Sequence, residues 1–308
     1  MKWQASSLVA IACLFLVAGV FHWHAWNARC SWSATADETC YLRCADNTVS
    51  LRRLDPQLVA FGIAPLPILV QWLPAVRWEV SSPQHNYWQG SMEDPPQIAA
   101  ARFLTSAVVG SGLLATVFIW MTRRRGLFWG TTTTLLIASS PHVIAHASLA
   151  TTDALAAWMW IVCLASYTWA LKRLSAPAPW ETNKGYAFET NHALAGLACG
   201  AAISAKYSGV GLVAVWLLLW TGACWQNLAA IDRRSIWAGA LRDWLPGLFI
   251  FLTVTVISCW GWHGFAWAEP RSVLGDSLLS GEAFPAPVTA ILEQQAHQAR
   301  GHNAMLFG

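Results

Sequence analysis

The stretch HALAGLACGAAISAKYSGVGLVAVWLLLWTGACWQNLAA, residues 192–230, is apolar almost throughout and carries a single charge, Lys206. At about 1.5 Å per residue it is too long for one crossing of a hydrocarbon layer about 30 Å thick. The charge near its middle, followed by Tyr207 and Gly209, divides it into two short spans, 192–205 and 207–221. Five further charge-free windows, 7–27, 103–121, 126–141, 154–171 and 244–262, bring the expected number of crossings to seven. The fold class expected is therefore all-α, a polytopic transmembrane bundle with a long external first loop containing short interfacial helices.

Composition agrees with that reading. Of 308 residues 56% are hydrophobic and 11% charged, against about 25% charged in soluble domains. A net charge of +3, spread along the chain, lacks the clustered basic face that nucleic acid requires. Trp outnumbers Tyr by 21 to 5, and indoles suit the boundary between water and lipid. Five of the eight cysteines, Cys13, Cys163, Cys199, Cys224 and Cys259, lie in apolar runs, where a thiol acts as a small hydrophobe.

Seven crossings place every cationic cluster on one side: Lys2; Arg123, Arg124 and Arg125; Lys172, Arg173 and Lys184; and Arg233, Arg234 and Arg242. Lys and Arg in short loops stay cytoplasmic. The opposite, external side then receives the loop 28–101, the turn 141–153, Lys206 and the tail 264–308. Asp37, Arg102, Asp153 and Lys206 thus share one membrane face.

Two segments test this topology. Residues 56–76, PQLVAFGIAPLPILVQWLPAV, are charge-free and long enough to span, but Pro65, Pro67 and Pro74 remove backbone donors, so a re-entrant or surface-lying segment is expected. The tripeptide ATA at 34–36 imitates a signal-peptidase site. The apolar core ends near Val20, too far upstream for cleavage there, and the first span reads as an uncleaved anchor.

Ionisable groups at membrane depth are costly and point to function. In SATADETCYL, residues 33–42, Asp37 and Glu38 stand side by side after the first span. They are either a solvated loop pair or a general base, since a second carboxylate and nearby lipid both favour the neutral acid. Asp153, in TTDA ahead of an apolar run, either caps a helix or faces the external side as a functional acid. Lys206 either snorkels or holds a phosphate at a helix break beside Tyr207. Arg102 either anchors the interface or grips a phosphate with its guanidinium fork. His142 and His146 have one-turn spacing without the Glu of a zinc-protease pattern, and helix packing or hydrogen bonding is the expectation. Cys30, Cys40 and Cys44 fall on the external side, where a disulfide is permitted and its pairing is open. No Gly-rich nucleotide loop or Ser-His-Asp pattern is found in the sequence.

Taken in order, ADETCYL, APLPILVQWLP, AARFLTSAVVGSGLL, SSPHVIAHASLATTDALAAWMWI and GLACGAAISAKYSGVGLV resemble the protein O-mannosyltransferase and aminoarabinose transferase group of GT-C glycosyltransferases. The resemblance covers most of residues 5–265. It implies one transmembrane domain over 1–308, in the bacterial inner membrane, acting on its periplasmic face. It further implies transfer of a sugar from a polyprenyl-phosphate donor to a hydroxyl of a lipid or protein acceptor, with inversion. Asp37 is then the base, and Glu38 orients it or the acceptor. Arg102 and Lys206, with Tyr207 beside it, offset charge on the departing phosphate, and Asp153 holds the donor sugar or a cation. No nucleotide or other cofactor is required, and a divalent metal is left open. The partners are the lipid-linked donor, the acceptor and membrane lipids. Relatives continue through more spans, so the chain corresponds to their first half. A transporter or lipid-linked-sugar flippase component, with Asp153 and Lys206 as an ion or substrate site, is the alternative from another class. An inactive remnant of a transferase is the third.

Overall fold

A computed structural model of the chain describes residues 2–31, 36–74, 96–174, 185–229, 237–269 and 283–299. They are nearly all helical: α1 (Lys2–Ser31), α2 (Ala36–Ser50), α3 (Pro56–Ala60), α4 (Pro65–Trp72), α5 (Pro96–Leu104), α6 (Ser111–Arg125), α7 (Leu127–Ala138) and α8 (Pro141–Ser148). There follow α9 (Thr152–Leu174), α10 (Gly185–Ala205), α11 (Gly211–Ala229), α12 (Trp237–Trp262) and α13 (Ala286–Ala299). Two two-residue strands, β1 (Trp267–Ala268) and β2 (Phe284–Pro285), pair antiparallel.

Five of the described helices are long and apolar enough to cross a membrane: Leu8–Arg29, Pro96–Arg125, Thr152–Leu171, Tyr207–Trp225 and Leu245–Trp262. The chain is a multi-pass membrane protein. Two of the seven expected crossings are outside this set. The helix in window 126–141 is the 12-residue α7, which at about 1.5 Å per residue reaches 18 Å. Window 192–205 ends a longer helix, α10, whose early turns carry Glu189, Asn191 and His192. The cationic side chains of Lys2, Lys172, Arg173, Lys184, Arg233, Arg234 and Arg242, on which sidedness rests, lie outside the described residues, as does the side chain of Cys30. So do parts of the loop 28–101 and of the tail 264–308.

The chain divides into two compact units, Met1–Asp55 with Leu66–Ile161, and Pro56–Pro65 with Val162–Gly308. In the first, α5 runs through a π-helical turn, Thr105–Gly110, into α6. A π turn breaks the ordinary i→i+4 ladder, and nearby hydroxyls take up carbonyls: Thr105 donates to Ala101 (2.9 Å) and Ser106 to Arg102 and Phe103 (3.1 Å each). Gly110 lets α1 approach, because a Cβ there would lie 2.7 Å from the Phe21 ring. His22 on α1 also meets the Ser111 hydroxyl at 2.8 Å. Trp158 of α9 lies against Gly112 and donates its indole N–H to Thr116 at 3.0 Å.

In the second unit α10 and α12 pack through Gly196 and Gly200, whose added Cβ atoms would lie 2.7 Å from the Phe251 carbonyl and 2.6 Å from Ser258 Cβ. Small residues four apart permit this close backbone approach, the main source of helix association in lipid. Trp216 fills the core, stacked on Phe251 with centroids 4.0 Å apart. The stretch 192–230 breaks at the expected place: α10 ends at Ala205, Lys206 is extended, and a 3-10 turn over Tyr207–Val210 leads into α11. The stretch 56–74 is likewise broken, into α3 and α4, neither long enough to span. The break falls at Gly62, held at φ +62°, rather than at the prolines. Pro65 and Pro67 sit in the first turn of α4, where a missing N–H costs nothing.

Candidate functional site

The first unit joins three distant parts of the chain around Glu38. Helix α2 opens with Asp37 and Glu38 in its first turn, where carboxylates favour the positive end of the helix dipole. Asp37 faces out, whereas Glu38 is fully buried. Arg102 of α5 is buried as well, with 1% of its side chain exposed. Its Nε and Nη2 donate to Glu38 Oε1 and Oε2, each at 2.7 Å. Glu38 Oε1 also accepts the Ala150 backbone N–H at 2.8 Å. Leu42, Ile98, Ala101 and Ala150 form an apolar cluster beside the pair. Breaking a buried pair of this kind typically costs 3–5 kcal/mol, because the remaining charge is left without compensation.

This changes two of the expected roles. Arg102 is neither an interface anchor nor the opener of a span at 103. It sits within the Pro96–Arg125 helix, and its fork engages a protein carboxylate where the resemblance gave it a phosphate. Glu38 acts as the counter-ion that fixes α2, α5 and the turn before α9. Its charge is matched by Arg102, so Asp37 does not have an uncompensated acid at its side.

Asp153 lies in the first turn of α9, three residues after the amide that Glu38 holds. Its Oδ2 is 3.3 Å from His146 Nδ1, so His146 makes the polar contact expected of it. The half-buried Tyr41 feels both the exposed Asp37 and the part-buried Asp153: burial and these two carboxylates push its phenol above the ordinary range. Gln71 of α4 donates its Nε2 to the Thr151 carbonyl at 2.7 Å. The turn 150–153 is therefore gripped at the Ala150 amide and the Thr151 carbonyl, leaving Asp153 at its outer end. Among the described residues no group of three or more His, Cys, Asp or Glu side chains is arranged to hold a metal ion.

Two other residues have to be placed within the second unit. Lys206 caps the break between α10 and the 3-10 turn, its N–H bonded to the Ala202 carbonyl at 3.2 Å and its carbonyl to Gly209 N–H at 2.8 Å. Tyr207, expected at the phosphate, is buried instead. Its hydroxyl lies 2.8 Å from His263 Nε2 and 3.3 Å from the Ile63 carbonyl, and its ring stacks on the imidazole. His263 Nδ1 is 2.8 Å from the Cys259 carbonyl, and burial lowers the imidazole to about 4. A neutral ring donating from Nδ1 leaves Nε2 to accept from Tyr207.

Sequence reasoning did not single out Tyr41, Gln71, Thr151 or His263. Only His263, a polar residue closing the last span in WGWHGF, carried a usable signal. Cys40 and Cys44 are not disulfide-bonded and lie one turn apart on α2. The Cys44 thiol hydrogen-bonds to Cys40 and lowers it to about 6, with Arg43 assisting.

No protein-family model, curated protein or solved structure matches the chain.

Proposed function

We propose that the chain is a membrane glycosyltransferase of GT-C type, transferring a sugar from a polyprenyl-phosphate donor to a hydroxyl of a lipid or protein acceptor. The observation that carries this reading is the meeting of Asp37, Glu38, Arg102 and the turn 150–153, which are far apart in the chain yet linked by the bonds of Glu38 and the shared neighbour Tyr41. Such an assembly at helix ends provides an exposed acid on a rigid support, as a general base requires.

In the reaction, Asp37 takes the proton of the acceptor hydroxyl as that oxygen forms a bond to the anomeric carbon. The bond from that carbon to the phosphate oxygen breaks on the opposite face, and the lipid phosphate leaves with the electron pair. Glu38 and Arg102 position α2 instead of touching substrate. Asp153 orients the donor sugar. The donor arrives already activated, so no nucleotide is consumed. The topology that accompanies this reading has seven crossings, with α7 and α10 completing the five long helices, in a bacterial inner membrane with the acids on the periplasmic side.

Purified protein in lipid, given radiolabelled undecaprenyl-phosphate sugars and a lipid extract as acceptor, should transfer label. Asp37→Asn should reduce transfer by about 10³-fold or more, at the loss of one general base, with an unchanged unfolding midpoint. An Asp37→Asn protein as active as the wild type would remove Asp37 from the reaction.

A further inference from the structure

The polar atoms around the turn 150–153 include two that nothing satisfies. Gln71 is 2% exposed and its Nε2 is engaged by the Thr151 carbonyl, yet its Oε1 has no partner among the described residues, and neither does the buried Oγ1 of Thr151. Buried polar atoms are nearly always paired, so two unpaired ones at the same place call for a cause.

Their donor and acceptor capacities define what fits. An amide oxygen only accepts, while a Thr hydroxyl both donates and accepts. A ligand hydroxyl has the capacity for both, donating to Gln71 Oε1 and accepting from Thr151 Oγ1–H. A phosphate cannot, because at neutral pH it has no reliable proton to give the amide oxygen. The charged groups nearby point the same way: Arg102 is matched by Glu38, and Asp37 and Asp153 both stand near Tyr41. This part of the first unit therefore welcomes hydrogen-bond donors and repels anions.

We propose that Gln71 and Thr151 form a hydroxyl-reading subsite that receives the sugar ring of the donor and excludes its phosphate. This rests on the transferase reading above. The unpaired atoms are the resting-state cost of specificity, since a site built to bond a hydroxyl discriminates strongly against a ligand that lacks it.

The test uses the full-length protein in detergent and measures binding, not turnover. The probes are undecaprenyl-phosphate mannose, glucose and aminoarabinose, and the monodeoxy analogues of whichever binds tightest. Wild type should bind one deoxy analogue about tenfold more weakly than its parent, the effect of one hydrogen bond. In Thr151→Val and Gln71→Met that difference should vanish through weaker binding of the parent, whereas Thr151→Ser should keep it. Because Val fills the space without an unpaired hydroxyl, Thr151→Val should unfold at the same or a higher temperature. If Thr151→Val and Gln71→Met bind parent and analogues as wild type does, the two atoms serve a buried water or nothing, and the subsite is refuted while transferase activity still stands. If wild type binds no probe at all, the subsite and the transferase reading fall together.

Discussion

Arg102 grips Glu38 through two hydrogen bonds of 2.7 Å, and both side chains are sealed from solvent. The pair connects α2 to the long helix that begins at Pro96, and the Ala150 amide adds the turn before α9 to the same carboxylate. The exposed Asp37 owes its position to its buried neighbour.

Removing either half of the pair should be far worse than removing both. Glu38→Leu and Arg102→Met are each expected to lower stability by about 3–5 kcal/mol, whereas the double variant carrying both should recover much of the loss. Chemical unfolding in detergent gives the comparison. Simple additivity of the single losses would show that the two charges do not depend on each other.

His263 predicts a stability that falls in acid. Its folded value, about 4, is below the ordinary 6.5, so the unfolded chain binds the proton more readily. The contribution is complete above pH 6.5 and is lost as pH falls from there towards 4, up to about 3 kcal/mol. Unfolding midpoints of wild type and His263→Gln, compared at pH 7 and pH 5, should converge in acid; equal pH slopes would mean that this imidazole is not the group responsible.

Cys40 should alkylate as a thiolate at neutral pH. With the Cys44 hydrogen bond holding it at about 6, its rate should level off above pH 7. In Cys44→Ala the rate at pH 6.5 should drop about tenfold, moderated by the greater intrinsic nucleophilicity of a more basic thiol. Mass spectrometry of the peptide carrying Cys40 reads the outcome, and an unchanged pH profile would discount the thiol pair.

Two glycines separate packing from propensity. Gly200→Ala brings a Cβ within 2.6 Å of Ser258 and should cost about 1–3 kcal/mol by forcing α10 and α12 apart. Gly222→Ala on α11 meets nothing within 4 Å and should be neutral or slightly stabilising. Similar losses at both positions would argue against a close α10–α12 seam.

The α class, the multi-pass character and the break at Lys206 were legible because each depends on local composition: apolar length against bilayer thickness, and a charge that ends a run. Asp37 and Asp153 could be picked out for the same reason, as ionisable residues beside apolar spans. Sequence did not reveal that Arg102 would be used up by Glu38, since a guanidinium at a span edge looks alike whether its partner is a phosphate or a buried acid. The surroundings of Tyr207 were hidden for a similar cause: its neighbours in sequence are Lys206 and Ser208, but its partners in space are His263 and Ile63.

What the sequence alone determined is where this chain must be greasy and where it keeps its charges, because transfer between water and lipid is a property of each segment by itself. What only the tertiary structure decided is which charges cancel and which stay available. That depends on distances of a few ångströms between residues 64 and 112 positions apart, and these are set by how helices pack, with little trace in any local stretch.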